Sequence, residues 1–455
     1  MKKSILYNCL FITFFQGNII NQAIATPDST KNKGNSTYIH QKKPEALFRA
    51  IAQRDSFLVK TLIEQGFDPN IKDDKGWTPL DYAKKSNRAE IETFLISAGA
   101  KTYIKPIPDM LEGPHIRISD SSTIDVSFLK HDSLQSKSSI NRISYHFNDF
   151  PQEINGTLIE SKDIDFNTTM SYPKGDYRGV KKIFVVGDVH GEYDRVYKIL
   201  KGNRIIDNNG NWNWGAGHLA FIGDIFDRGS KVTEMLWLIF KLEKQAIKSG
   251  GKVHLLLGNH EPMIFKNDLR YVADNYYALC ENLGLSYSKL FDEKSVLGHW
   301  IRQKPVILKI NDFIFVHAGI SPKLFEMKMG IDSINSLVWH FFNNQEDKSN
   351  TDTRSFILSS KGILWYRGYT PDESSNNNID EKTLENELEF YKGKAFIVGH
   401  TEVDSISIFH TGRVINVNIP KANSSIQEQA LLIEGNKVFV VYNNGDKKIL
   451  TKITD

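Results

Sequence analysis

From residue 182 onward, short runs of branched and aromatic side chains alternate with longer stretches of helical spacing, and this alternation predicts an α/β domain over 182–455. The runs are 183–186, 219–222, 253–257, 313–316 and 395–398. Each is apolar apart from His254, the pattern of a strand buried on both faces. Between them, 194–200 and 231–247 carry apolar residues at helical spacing. The tail over 405–453 is strand-like again, with a turn signal at Asn443-Asn444-Gly445. Residues 104–181 are rich in Ser, Asp and Asn and lack clean periodicity, so they predict only a connecting region with scattered strands.

The amino end has a different pattern. Lys2 and Lys3 precede an apolar stretch over 5–15, and Ala23-Ile24-Ala25 stands before Thr26-Pro27. That order of charge, short apolar run and small residues predicts a secretory signal peptide over 1–25, hence export to the periplasm or beyond. Asn8, Gln16 and Asn18 interrupt the run, which falls short of the roughly 20 apolar residues of a spanning helix. No later stretch approaches a membrane span, so none is expected after cleavage. Cleavage after Ala25 would remove Cys9 and leave Cys280 alone, which excludes an internal disulfide. Residues 26–42 are polar and read as a linker.

Over 43–103 the chain repeats itself. Leu47 and Leu80, Ala50 and Ala83, Leu62 and Leu95, Ile63 and Ile96, Gly66 and Gly99 are each 33 residues apart. With Thr78-Pro79-Leu80-Asp81-Tyr82-Ala83, in which Asp81 replaces the usual His, this resembles a pair of ankyrin repeats, and the two glycines would close the second helix of each. Two units are fewer than the three that normally bury a stacked core. The pair is therefore expected to lean on the next domain or on a protein partner. Composition changes little: 40% hydrophobic and 24% charged residues describe an ordinary soluble protein, and a net charge of +3 without basic runs gives no support for nucleic acid binding. The sequons at Asn35, Asn155, Asn167 and Asn423 are assigned no role.

The candidate chemistry sits where the runs end. They terminate in Gly187-Asp188-Val189-His190-Gly191, Gly223-Asp224-Ile225-Phe226-Asp227-Arg228-Gly229, Gly258-Asn259-His260-Glu261, His317-Ala318-Gly319 and Gly399-His400-Thr401. Ligands of open α/β sheets gather beyond the carboxyl ends of strands, so all five clusters could converge on one crevice. Their order resembles that of the phosphoprotein phosphatases, a branch of the calcineurin-like metallophosphoesterases. The resemblance covers about 182–420 and implies a sandwich of two β-sheets flanked by helices. It also implies two divalent ions, one held by Asp188, His190 and Asp224 and the other by Asp224, Asn259, His317 and His400. A mixed nitrogen and oxygen donor set favours Mn, Fe or Zn over calcium.

Two such ions about 3.5–4 Å apart can activate a bridging hydroxide for direct attack on phosphorus. By the same resemblance His260 is the general acid, oriented by Asp227, while Arg228 and Asn259 bind phosphate. Arg367, in Leu364-Trp365-Tyr366-Arg367-Gly368, is the candidate for a second phosphate clamp. Glu261 reads as an orienting residue; His218, His254, His340 and His410 read as core or surface residues. Longer segments over 263–312 and 321–394, with a polar loop at 374–378, are expected to roof the crevice. The Trp365–Gly368 element and the export signal look most like the bacterial Shewanella-like protein phosphatases. That implies phosphorylated protein substrates, with phosphotyrosine or mixed specificity. The alternatives are hydrolysis of dinucleoside polyphosphates or other small phosphoesters, and a non-catalytic binding protein using its ankyrin pair.

Overall fold

The computed structural model describes residues 45–452 apart from 75, 103–106, 152, 155–156, 165–174, 344–350, 372–377 and 420–426. The signal-peptide and linker segments, the four sequons and most of the polar loop at 374–378 lie outside the described residues.

Two six-stranded sheets form the centre of the catalytic region. One is built around parallel strands β7 (Lys182–Val186), β8 (His218–Phe221) and β9 (Lys252–Leu255), extended antiparallel by β15 (Gln429–Glu434), β16 (Lys437–Tyr442) and β17 (Lys447–Lys452). The other runs in the order β13 (Ser407–Phe409), β14 (Val414–Asn416), β12 (Ala395–Val398), β11 (Phe313–Val316), β10 (Ile307–Ile310) and β6 (Asp176–Tyr177). Strand periodicity decides the layers. Ile183 and Val185 of β7 join Phe313, Phe315 and Ile397 in the core between the sheets, while Phe184 and Val186 face the helical layer that includes Val232–Lys248. The result is an α/β sandwich of two sheets flanked by helices, with all five strand-end clusters on one rim.

The region 104–181 has more order than its sequence suggests. Strands β1 (Met110–Ile118), β2 (Thr123–Asp132) and β3 (Lys137–His146) form an antiparallel meander. It is fastened to helix Val232–Lys248 where Trp237 Nε1 donates to the Pro114 carbonyl at 2.9 Å and Thr233 donates to buried Glu112. A short pair, β4 (Glu153–Ile154) and β5 (Thr157–Leu158), follows.

The ankyrin region folds as two helical hairpins, α1 (Glu45–Ala52) with α2 (Ser56–Glu64) and α3 (Pro79–Lys85) with α4 (Ala89–Ser97). Leu47, Ala50, Leu80, Ala83 and Leu95 are buried in their own small core, and Gly66 and Gly99 take the same φ of +83°, in the left-handed cap conformation. Ile96 departs from the repeat and is 53% exposed. Asp81 explains its own substitution: its carboxylate accepts from the Thr78 N–H at 2.9 Å while Thr78 Oγ1 accepts from the Asp81 N–H at 3.3 Å, a reciprocal cap at the start of α3. The pair leans on the catalytic region. Trp77 is buried against Tyr277, the Lys85 ammonium lies 4.5 Å from the Trp77 ring and bonds the Val272 carbonyl at 3.2 Å, and the Leu269 N–H donates to the Lys85 carbonyl at 2.6 Å. No helix among the described residues is long and apolar enough to cross a membrane.

Candidate metal centre

Each strand delivers its cluster through a tight loop, and backbone bonds lace the loops together. The Val189 and His190 N–H groups donate to the Asp224 carbonyl at 3.1 and 2.8 Å, and the Gly229 N–H donates to the His190 carbonyl at 2.8 Å. Buried Glu261 ties the second and third loops by accepting from the N–H groups of Asp224, Ile225 and Gly258 at 3.1, 2.7 and 2.6 Å. Two glycines are required by contact. A Cβ on Gly258 would stand 2.1 Å from Asp224 Oδ1, and one on Gly399 would stand 2.3 Å from Asp188 Oδ1. The cost of this arrangement appears at His190, Asp224, Asp227, Arg228 and His400, which all hold positive φ between 48° and 72°. Non-glycine residues adopt that region uncommonly, and such conformations gather at functional sites.

All six expected metal ligands are buried and come together. His190 Nδ1 donates to the Phe226 carbonyl and His317 Nδ1 to the Ile222 carbonyl, each at 2.8 Å, which leaves both Nε2 atoms facing inward. Asp224 Oδ2 is the hub: it lies 3.2 Å from His317 Nε2, 3.8 Å from His190 Nε2 and 3.9 Å from His260 Nε2. Asn259 Oδ1 is 3.0 Å from His317 Nε2. Two triplets have donor atoms within 4.8 Å of one another, His190 with Asp224 and His260, and Asp224 with His317 and His400. Asp188 falls outside both triplets. Its oxygens accept the His400 N–H at 3.2 and 3.1 Å and one stands 3.9 Å from His317 Nδ1.

The electrostatics are those of a crowded, dry site. Burial pushes the Asp188 carboxyl up to about 6 against the pull of His317. Burial also opposes charge on His317, yet the Asp224 and Asp188 carboxylates outweigh it and carry its imidazole up to about 9. His190 and His400 are driven well below the usual histidine range by burial and neighbouring cations. His400 Nε2 is buried with no hydrogen-bond partner. An orphaned imidazole nitrogen beside a carboxylate hub fits a divalent cation, as does the donor set of nitrogen and oxygen atoms.

His260 Nδ1 lies 2.5 Å from Asp227 Oδ2, and the His260 Nε2 faces the hub. Arg228 is exposed and pairs with Glu402 at 3.1 Å; Arg367 donates to the His400 carbonyl at 2.9 Å and to Thr401 Oγ1 at 3.2 Å. Three neighbours complete the surroundings: Tyr271, whose ring tilts against His260 at 5.3 Å, Trp365, edge-on to His400 at 5.8 Å, and Glu402. Trp365 had a signal in the Trp365–Gly368 element and Glu402 in its place directly after the last cluster; Tyr271 had none.

The sequence pattern of the calcineurin-like phosphoesterases matches residues 181–404, the span that contains all five loops. A cold-active protein-tyrosine phosphatase from a psychrophilic Shewanella superposes with a TM-score of 0.64 at 30% identity, covering 75% of this chain and 100% of that one. The chain belongs to the calcineurin-like phosphoesterases. As such it is a metallophosphatase, and its family uses divalent metals. Shewanella-like protein phosphatase 1 of Plasmodium berghei is 28% identical over 267 residues, 55% of this chain and 69% of that relative. Shewanella-like protein phosphatase 2 of Arabidopsis thaliana is 24% identical over 268 residues, 50% of this chain and 67% of that relative. The ankyrin pattern matches 12–105, beginning within the stretch read above as signal peptide and linker.

Proposed function

We propose that this phosphoesterase removes phosphate from protein side chains, phosphotyrosine among them. The observation that carries the reading is the Asp227–His260 pair aimed at the Asp224 hub, with the charges of Arg228 and Arg367 close by. Asp188, His190, Asp224, Asn259, His317 and His400 would hold two divalent cations, manganese, iron or zinc, which when bound supply charge neutralisation and lower the pKa of a shared water. The chain's own groups do the rest. Asp227 holds the Nδ1 proton of His260 and fixes the direction of Nε2. Burial disfavours the imidazolium, but Asp224 and Asp227 outweigh it and raise the His260 pKa, so a proton is at hand for the departing oxygen. Arg228 and Arg367 grip phosphoryl oxygens from two sides, and the Asn259 amide meets a third.

Tyr271 beside His260 and Trp365 beside His400 supply aromatic rings, and that supports an aryl leaving group. The relatives named as tyrosine and protein phosphatases support the same class. The order of residues at the amino end supports action outside the cytoplasm. The test is a panel of phosphotyrosine, phosphoserine and phosphothreonine peptides with Mn, Fe or Zn, run beside a dinucleoside polyphosphate and an Asp188→Asn control. Phosphotyrosine peptides should turn over fastest and the control should be nearly inactive. Preferential cleavage of the dinucleotide would overturn the reading.

A further inference from the structure

A cavity of about 700 Å³ opens between the ankyrin pair and the catalytic region. Trp77 and Tyr82 line it from the ankyrin side, Tyr193 and Lys231 from the segments after the first two clusters, and Tyr271 and Asn275 from a turn that runs into helix Asp274–Asn282. It borders the reaction centre. Arg228 lines it, Tyr271 forms part of its wall while touching His260, and the Tyr271 carbonyl accepts the Arg228 N–H at 2.8 Å. Lys85 at the end of α3 fixes this same turn through Val272 and Asp274.

We propose that this groove is the subsite for the polypeptide flanking the phosphorylated residue, with the ankyrin pair as one wall of the substrate site; the inference rests on the protein-phosphatase reading. Its size falls in the range that encloses a drug-sized ligand or a short peptide segment. Apart from Arg228, which serves the reacting phosphate, its cations are spoken for: Lys85 with Asp274 at 3.3 Å, Lys231 with Asp194 at 2.7 Å and Arg270 with Asp268 at 2.8 Å. A wall of matched charges offers little to a second phosphate. Tyrosine and tryptophan faces with polar tips instead suit the mixed apolar and amide surface of a peptide, and such residues dominate recognition surfaces.

The experiment compares an aryl phosphate, too short to reach the groove, with phosphotyrosine peptides of increasing length. In the unaltered enzyme, kcat/KM should rise with flanking length. Asn275→Trp, which fills the groove, and Tyr82→Ala, which removes its ankyrin-side ring, should each lower kcat/KM for the longest peptide by roughly tenfold, mainly through KM. Turnover of the aryl phosphate should stay within about twofold, and melting curves identify any variant that fails to fold. Absence of a length effect in the unaltered enzyme overturns the proposal whatever the variants do. So does a loss confined to a dinucleoside polyphosphate, which would assign the groove to bases. Turnover of aryl phosphate with none of any phosphopeptide sinks the protein-phosphatase reading itself.

Discussion

Lys85 at the ankyrin seam and Asp224 in the crevice are both buried charges, yet their surroundings differ in kind. Lys85 meets two aromatic faces, the Val272 carbonyl and the Asp274 carboxylate, so its charge is answered within the chain. Around Asp224 stand two further aspartates, three imidazoles and the orphaned nitrogen of His400, on loops that hold five non-glycine residues at positive φ. One is a finished joint. The other is strained and electrostatically incomplete, the signature of a site completed from outside. Function in this molecule lives where the balance within the chain fails, and stability where it closes.

The sharpest way to break this comparison is Asp224→Asn. Losing the hub carboxylate should lower kcat/KM for an aryl phosphate by at least about 10³-fold and reduce bound metal, and it should also lower the melting temperature, because the buried imidazoles of His317 and His260 lose the carboxylate that answers them. Elemental analysis and thermal melts read both sides. Retained activity would remove the hub from the mechanism. Asp227→Asn comes next. It keeps the shape but weakens the hold on His260, so the loss should be roughly 10–100-fold and larger for alkyl than for aryl phosphates, whose leaving group needs less protonation. An equal loss across leaving groups would leave His260 without its acid role. At the seam the order reverses: Lys85→Met should cost about 2 kcal/mol of stability in denaturant melts while sparing aryl phosphate turnover.

The two regions also differ in how far sequence reveals them. Each of the six candidate ligands lies within a few residues of a strand end, and strands and loop glycines are local signals, so the residues that the fold brings together in the crevice stood out in the sequence, while the roles proposed for them came from the family resemblance. The contact-imposed roles of Gly258 and Gly399 follow from the same compactness. The 33-residue period exposed the ankyrin helices just as locally, and only Ile96 escapes the pattern. What stayed hidden is assembled from distance. The β1–β3 meander is specified by cross-strand register and by contacts of Pro114 and Glu112 with helix Val232–Lys248, and neither leaves a periodic trace in its own polar sequence. Tyr271 and the groove arise from residues near 77–85, 191–194, 228–231 and 270–275, which no single window contains.

A third buried charge gives the finest test of the contrast. Glu387 is fully buried and accepts a hydrogen bond from Tyr369, two residues beyond Arg367, and burial pushes its carboxyl up to about 8 despite that bond. Here a proton, rather than a cation or a basic side chain, closes the balance. The folded state keeps this proton over a range in which the unfolded chain, with an ordinary value of 4.5, has released it. Stability from this group is therefore complete at low pH and is lost as pH rises from about 4.5 toward 8. Glu387→Gln preserves the shape and the acceptor for Tyr369 without the titration. The unaltered protein should lose several degrees of melting temperature relative to the variant, roughly 5 °C, between pH 5 and pH 9. Parallel melting curves for the two proteins across that range would mean that Glu387 is ionised in the fold, and that its charge is answered by neighbours as Lys85 is.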